Sequence, residues 1–267
     1  MSHAEHLPVE LVQRLHVLFA RAAASARVTS LTVGLGYTVV TTSNGGAGLA
    51  YTFFEEKRCC SFLRGYRDVE GEPATILLAG LLSDDPIARS AGLATLNALN
   101  HQRALSLPTD EGGPLSHSLR LLRIAPGTKT AMVGYFPPLV RSLTDMGAEL
   151  EILDRGRDLG DPARFRAKLA GWADVFIMSA TTILNASIDE LLASAGDGVR
   201  TLLMGPSTPM VPEAFAGSPV VALAGMAVVD QEGAVKVVRH GGGTPEIAPL
   251  ARKVYCSRSG HDALAVS

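Results

Sequence analysis

The residues of this sequence that could do chemistry lie in three segments, each directly after a predicted strand of the second half. The segments are Gly134-Tyr135-Phe136-Pro137-Pro138, Ser179 to Asn185 and Gly205-Pro206-Ser207-Thr208-Pro209. They supply hydroxyl groups, one amide, an aromatic pair and rigid prolines, which is the composition of a pre-formed pocket. Loop and cap positions have the same composition without any ligand. The candidate ligand-binding side chains are Tyr135, Thr181, Thr182, Asn185, Ser207 and Thr208.

These segments contain no activated nucleophile and no evident acid–base pair, so the catalytic residues stay unknown. The sequence has no Cys-x-x-Cys, His-Glu-x-x-His or Gly-x-Ser-x-Gly motif, which leaves zinc hydrolase and esterase chemistry without support. Bulky residues follow Gly134, where a dinucleotide loop needs further glycines. If a reaction occurs, we expect group transfer in which binding and orientation do most of the work.

Asp154 ends the second predicted strand of this half, about 20 residues after Gly134. An acidic residue in that place can bind a ribose hydroxyl, so a nucleoside without a pyrophosphate, such as S-adenosylmethionine, would suit it. The other interpretation is a turn that Asp154 forms with Arg155, and we favour it from the sequence.

Three further features have a structural and a functional interpretation each. Gly241-Gly242-Gly243 could bind an anion or form a tight turn. Asn97 interrupts an apolar helix and needs a partner, either structural or in the shared pocket. The histidines and the Cys59-Cys60 pair lack the spacing of a metal site, so a divalent or soft metal cofactor would have no recognisable ligand motif.

Composition excludes several classes of partner. The 267 residues are 47% hydrophobic and 19% charged with a net charge of −2, which predicts a well-buried globular protein without the basic footprint of a nucleic-acid or anionic-membrane binder. The first residues are polar, so we expect no signal peptide. The sequence contains no run of about 18 apolar residues, so we expect no membrane span. The odd number of cysteines favours a location in the reducing cytoplasm. For the oligomeric state we expect a homodimer.

The elements of the first half predict a small α+β domain over residues 1–106. We expect an amphipathic helix from Pro8 to Ala26, one strand from Leu31 to Val39, and a hairpin turn at Asn44-Gly45-Gly46 before a return strand from Leu49 to Phe54. A second helix opens at Asp85-Pro86 and runs to about Gln102. A polar, Gly- and Pro-rich linker follows over residues 107–126.

The second half, residues 127–267, alternates short apolar strands with helices, which predicts βαβ units and a mainly parallel sheet. The ends of parallel strands meet at one edge, so the three polar segments should converge there. We expect a last strand from Val235 to Arg239 and a last helix from Pro245 to Lys253. The fold class is therefore α/β, with a small α+β part followed by a Rossmann-like sheet.

The same residues resemble a prokaryotic family of unknown function that is described as heavy-metal chelation proteins. The resemblance covers nearly the whole chain and is carried by Gly134 to Pro137, Asp174 to Asn185, Gly205 to Pro209, Gly34 to Thr38 and Gly92 to Ala98. It implies an N-terminal domain similar to the enolase N-terminal fold, a Rossmann-like C-terminal domain and a ligand site in the cleft between them. The chain departs from the family pattern at Tyr135, where His is common, and at Ala180, where Gly is common. Tyr is a poorer ligand than His for most divalent metals.

Three functions remain open at this stage. The leading hypothesis is a cleft that binds a small organic molecule or metal chelate, connected with heavy-metal chelation or chelator metabolism. The second is a transferase that uses S-adenosylmethionine or another nucleoside, with Asp154 on the ribose. The third is a non-catalytic binding or regulatory partner of a metal transporter or of a metalloenzyme assembly system.

Overall fold

One helix and three antiparallel strands form the first layer of the chain. The computed structural model describes residues 10–53, 68–112 and 116–258, so the Cys59-Cys60 pair, Pro8 and Phe54 lie outside the described residues. The amphipathic helix α1 (Leu11–Ser25) buries Leu11 and Leu15. The strands are β1 (Val28–Val33), β2 (Tyr37–Thr42) and β3 (Ala47–Tyr51), in the order β1-β2-β3.

The single strand predicted from Leu31 to Val39 is wrong, because the chain reverses at Gly34-Leu35-Gly36. Val33 pairs antiparallel with Thr38, and the Gly34 N–H donates to the Tyr37 carbonyl at 2.9 Å. A tight turn joins two strands that both alternate with a period of two, so the alternation continues across the turn and hides it. The predicted hairpin at Asn44-Gly45-Gly46 is confirmed, since β2 and β3 pair antiparallel on either side of it.

A long helix covers this sheet at very close range. Helix α2 (Thr75–Leu78) and a 3-10 turn (Ala79–Leu82) lead into α3 (Pro86–Leu99) and then α4 (His101–Ser106). The start of α3 agrees with the sequence prediction: the Asp85 carboxylate accepts hydrogen bonds from the N–H groups of Ile87 and Ala88. Gly48 of β3 lies so close to α3 that a Cβ atom there would stand 2.1 Å from the Ala98 nitrogen.

The second layer is a six-stranded sheet in the order β5-β4-β6-β7-β8-β9. Its strands are β4 (Lys129–Val133), β5 (Glu149–Leu153), β6 (Val175–Ser179), β7 (Arg200–Met204), β8 (Val220–Val228) and β9 (Ala251–Ser257). Its helices are α6 (Pro137–Asp145), α7 (Pro162–Gly171), α8 (Thr181–Leu184), α9 (Ile188–Ala193), α10 (Gln231–Arg239) and α11 (Thr244–Ile247). All neighbours from β5 to β8 are parallel, and β9 is antiparallel to β8. The predicted α/β class with a mainly parallel sheet is confirmed.

The predicted last strand is wrong, and the predicted last helix is correct over its first six residues. Residues 235–239 form the end of helix α10, whose first turn is capped by the Asp230 carboxylate on the Gly233 N–H. Their β-branched residues favour a strand by propensity, but Ala234 and Val238 pack as an i, i+4 pair into a cluster with Tyr37 and Val39. Within the range of the predicted last helix, residues 245–247 belong to α11 and residues 248–250 form a 3-10 turn. Residues 251–253 begin strand β9, which pairs antiparallel with β8. The three glycines at 241–243 therefore connect two helices.

The predicted linker is bound to the second sheet over part of its length. It contains helix α5 (His117–Arg120), and the Asp110 carboxylate accepts hydrogen bonds from both the N–H and the hydroxyl of Ser118. Thr109 also forms a bridge with Val254 of β9. The division of the chain at residues 106 and 127 remains a proposal. No helix in the described part of the chain has the length and apolar character to cross a bilayer.

Candidate functional site

A cavity of about 550 Å³ opens where the strand order of the large sheet reverses. The chain passes from β4 outward to β5, returns to β6 on the other side of β4, and leaves a crevice between the carboxyl ends of these strands. Loops after all three strands line the crevice, and Leu35, Tyr51 and Phe53 of the small sheet close it from the other side. The cavity is thus built from both layers of the fold.

Gly134 forms the turn that leads from β4 into the cavity. Its φ of +90° lies in the left-handed region, and a Cβ atom there would stand 3.0 Å from the Cβ of Ser179. Its N–H donates to the Leu153 carbonyl at 2.9 Å. A glycine is needed here because a side chain would be strained and would collide with the neighbouring strand end.

Asp154 joins the loops after β4 and β5. One carboxylate oxygen accepts a hydrogen bond from the Tyr135 N–H at 2.8 Å, and the other accepts from the Arg157 N–H at 3.2 Å. The Arg157 guanidinium lies over the Tyr135 ring, 5.3 Å from its centroid, which is a cation–π contact. Asp154 therefore has a clear positioning role, and the turn interpretation of this residue has direct contacts to support it.

The segment after β6 supplies the hydroxyl groups of the cavity. Ser179 and Thr181 share a hydrogen bond of 2.9 Å between their hydroxyls, and the Thr182 hydroxyl donates to the Ser179 carbonyl at 2.7 Å. The side-chain oxygen of Asn185 accepts hydrogen bonds from the hydroxyl and the backbone N–H of Ser187. The Asn185 amide nitrogen is the part of that side chain that remains to donate to a ligand.

Charged groups lie at the mouth of the cavity. Arg166 of α7 and Glu190 of α9 form an ion pair of 3.2 Å in which both side chains are substantially exposed. Asp154 and Arg155 are the other two charged residues of the described lining. Sequence reasoning did not single out Arg166, Glu190, Tyr51 and Phe53, because no local pattern marks them. It considered Arg155 only as the turn partner of Asp154.

The predicted site residues divide into two groups. Those brought together around the cavity are Gly134, Tyr135, Phe136, Asp154, Thr181, Thr182 and Asn185. Pro137 instead begins helix α6, as the first helical residue. The remaining residues, Gly205, Pro206, Ser207, Thr208 and Asn97, do not line this cavity.

That second group forms the joint between the two sheets. The buried Ser207 hydroxyl accepts from the Tyr51 N–H at 2.7 Å. The Asn97 amide donates to the carbonyls of Leu49 and Ser207, and the Asn100 amide donates to the Met210 carbonyl. Asn97, which interrupts helix α3, and Asn100, which follows its last residue, thus have structural partners. Ser207 still acts on the cavity indirectly, because Tyr51 lines it.

The donor atoms of the cavity do not suit a directly bound soft metal. Its described lining offers carboxylates, hydroxyls and an amide but neither His nor Cys, and soft metals prefer thiolate and imidazole ligands. In the described part of the chain no group of three or more His, Cys, Asp or Glu side chains could hold a metal ion.

Cys256 of β9 is shielded from chemistry by its environment. Burial raises the pKa of its thiol from 9.0 to about 11, so at neutral pH it is protonated, whereas metals and alkylating agents react with the thiolate. We expect iodoacetamide at pH 8 to modify Cys256 about 100-fold more slowly than an ordinary cysteine thiol. Peptide-resolved mass spectrometry of the native and the urea-unfolded protein measures this, and fast modification of the native protein would contradict it.

The fold and the site define a class: an α/β protein with a Rossmann-like sheet and a cavity at its topological switch point. The chain belongs to the DUF364 family, described as "Putative heavy-metal chelation", whose model matches residues 118–257. A second family model with the same description, DUF4213, matches residues 16–100. The family resemblance drawn from the sequence is confirmed. No protein with a curated description matches the chain.

Solved structures of the same family show the same fold. A DUF364 protein of unknown function from Pyrococcus horikoshii superposes with a TM-score of 0.78 at 23% identity, covering 93% of this chain and 100% of that chain. A second, from Desulfitobacterium hafniense, has a TM-score of 0.72 at 21% identity, covering 92% of this chain and 98% of that chain. Both are similar to this chain in architecture.

Proposed function

We propose that this protein binds a small organic ligand in the cavity at the ends of β4, β5 and β6, and that the ligand is a metal chelator, its metal complex or its precursor. The observation that carries the proposal is the position of the cavity, because ligands of open α/β sheets bind in the crevice at the switch point. Its volume of about 550 Å³ is typical of small-molecule sites.

The lining favours an oxygen-rich organic molecule. The hydrogen bond between the Ser179 and Thr181 hydroxyls leaves one O–H of the pair to donate to a ligand oxygen, and the amide of Asn185 can donate as well. Tyr51 and Phe53 offer apolar surface. Arg166 is paired with Glu190, so Arg155 is the lining cation that can attract a negatively charged group, such as a carboxylate of a chelator. The family description points the same way.

The contacts of Asp154 give less support to the transferase hypothesis. Both carboxylate oxygens already accept backbone hydrogen bonds, and Arg157 lies 3.9 Å from one of them. A ribose would have to share these acceptors. Among the described lining residues no acid–base pair is in hydrogen-bond contact, so we place binding before turnover.

Native mass spectrometry with elemental analysis of the same gently purified sample tests the proposal. We expect a retained organic mass, with or without a stoichiometric metal, that is released on unfolding. A metal bound stoichiometrically without any organic mass would contradict the proposal. A protein that stays ligand-free after incubation with extract of its host would do so as well.

Thr181 offers a substitution that changes chemistry and keeps shape. Thr181→Val removes the hydroxyl that bonds Ser179 in the cavity, and we expect about tenfold weaker retention of the ligand because one hydrogen bond is lost. Thr144→Val is the matched control, since the Thr144 hydroxyl bonds only its own helix at Val140 and is exposed. If the two variants bound the ligand with equal affinity, the proposed role of Thr181 in ligand binding would be contradicted.

A further inference from the structure

A second cavity, of about 500 Å³, lies between helix α10 and strands β1 and β2. None of its lining residues lines the first cavity. One wall carries the hydroxyls of Thr29, Ser30 and Thr41, and the other carries Lys236 and Arg239 of α10, with His240 just beyond the helix end. The groove therefore sets hydroxyl donors opposite cations.

A strand irregularity gathers the hydroxyls at one point. The pairing of β1 with β2 shifts register between Val28 and Ser30, so that two neighbouring residues both reach Thr41. The Thr41 hydroxyl lies 2.7 Å from that of Thr29 and 2.8 Å from that of Ser30. Two hydrogen bonds among three hydroxyls use two of their three protons, which leaves one O–H to donate to a ligand.

The helix wall carries two cations, Lys236 and Arg239, whose side chains bond to no other described residue. Lys236, Arg239 and His240 follow the i, i+3, i+4 spacing and so share one face of the helical turn. Lys236 and Arg239 are exposed, and neither takes part in an ion pair within the described ranges. The carboxylate of this wall belongs to Glu232, so two permanent cations face one anion.

We propose that this groove binds a phosphate group, either as the free ion or as part of a small organic phosphate. Arg239 can offer two parallel N–H donors to phosphate oxygens, Lys236 adds a point charge, and the hydroxyl cluster donates from the opposite side. Cations in the last turn of a helix stabilise its dipole by themselves. That effect, however, does not require hydroxyls gathered across a groove. The inference is independent of the ligand in the first cavity.

Calorimetric titration of the full chain at constant ionic strength tests this, with inorganic phosphate and glycerol 3-phosphate as separate probes. We expect saturable binding that weakens about tenfold or more in the double variant Lys236→Gln and Arg239→Gln. Tighter binding of the ester identifies an organic phosphate, and equal affinities identify the free ion. Thr41→Val, which removes the central hydroxyl while both cations remain, should also weaken binding.

The matched control is the double variant Arg123→Gln and Lys253→Gln, which removes the same charge from two exposed positions outside the groove. It should bind both probes as the natural protein does. The proposal is overturned if the natural chain shows no saturable binding, or if the control loses as much affinity as the groove variant. Thermal unfolding of each variant verifies that it is folded.

Discussion

Replacing Gly48 with alanine is expected to lower the free energy of unfolding by about 3 kcal/mol. A Cβ atom at this position in β3 would stand 2.1 Å from the Ala98 nitrogen and 2.2 Å from the Ala94 carbonyl oxygen. Both are backbone atoms of helix α3, so no side chain can rotate away, and the whole helix must move off the sheet. Urea denaturation followed by circular dichroism measures the loss.

Gly45→Ala is the control in the same hairpin. Gly45 has a φ of +78°, but no atom lies within 4 Å of the position that a Cβ atom would take. Alanine there has only the cost of the left-handed conformation, about 1 kcal/mol. If both variants lost the same stability, close packing between β3 and α3 would not be the reason for the glycine at 48.

Asp154→Ala is expected to have the largest effect on the cavity. The substitution removes the acceptor for the Tyr135 and Arg157 N–H groups, which should cost about 2 kcal/mol of stability and free Tyr135 from the cavity wall. We expect ligand retention in native mass spectrometry to fall about tenfold or more as the wall loses its position. Denaturation and ligand titration of the same preparation measure both effects.

Asp161→Ala separates the two effects. Asp161 also caps a helical turn, with its carboxylate accepting from the Arg164 N–H at 2.7 Å, but it does not line the cavity. Its loss should cost about 1 kcal/mol and leave ligand retention unchanged. A variant at 161 that lost the ligand as well would show that stability, rather than wall geometry, controls binding.

The contrast between the two groups of predicted site residues has a functional consequence. The loop after β7 carries one segment of the family resemblance, Gly205 to Pro209, yet its Ser207 bonds the backbone of β3 instead of lining the cavity. Because Tyr51 is both the donor of that bond and part of the cavity wall, this loop holds the small sheet against the ligand site. We infer that the segment is needed for the geometry of the site.

The sequence was sufficient for features that depend on neighbouring residues. The parallel strands β4 to β7 appear as short apolar runs, and the Asp85-Pro86 start of α3 appears as a capping pattern, because local periodicity and capping are set within a few residues. The same dependence on neighbouring residues explains why the predicted strands at residues 31–39 and 235–239 are wrong. A period of two continues across a tight turn, and β-branched residues fit either element until packing decides.

By itself, then, the sequence determined the α/β class, the order of most elements and the placement of Gly134, Asp154 and Thr181 at strand ends. Only the tertiary structure decided which strand ends are neighbours, since strand order depends on contacts between residues far apart in the chain. It also brought Tyr51 and Phe53 to the cavity, and it set the hydroxyls of β1 and β2 against the cations of α10. Such sites combine residues from distant segments, and no local pattern encodes the distance between them.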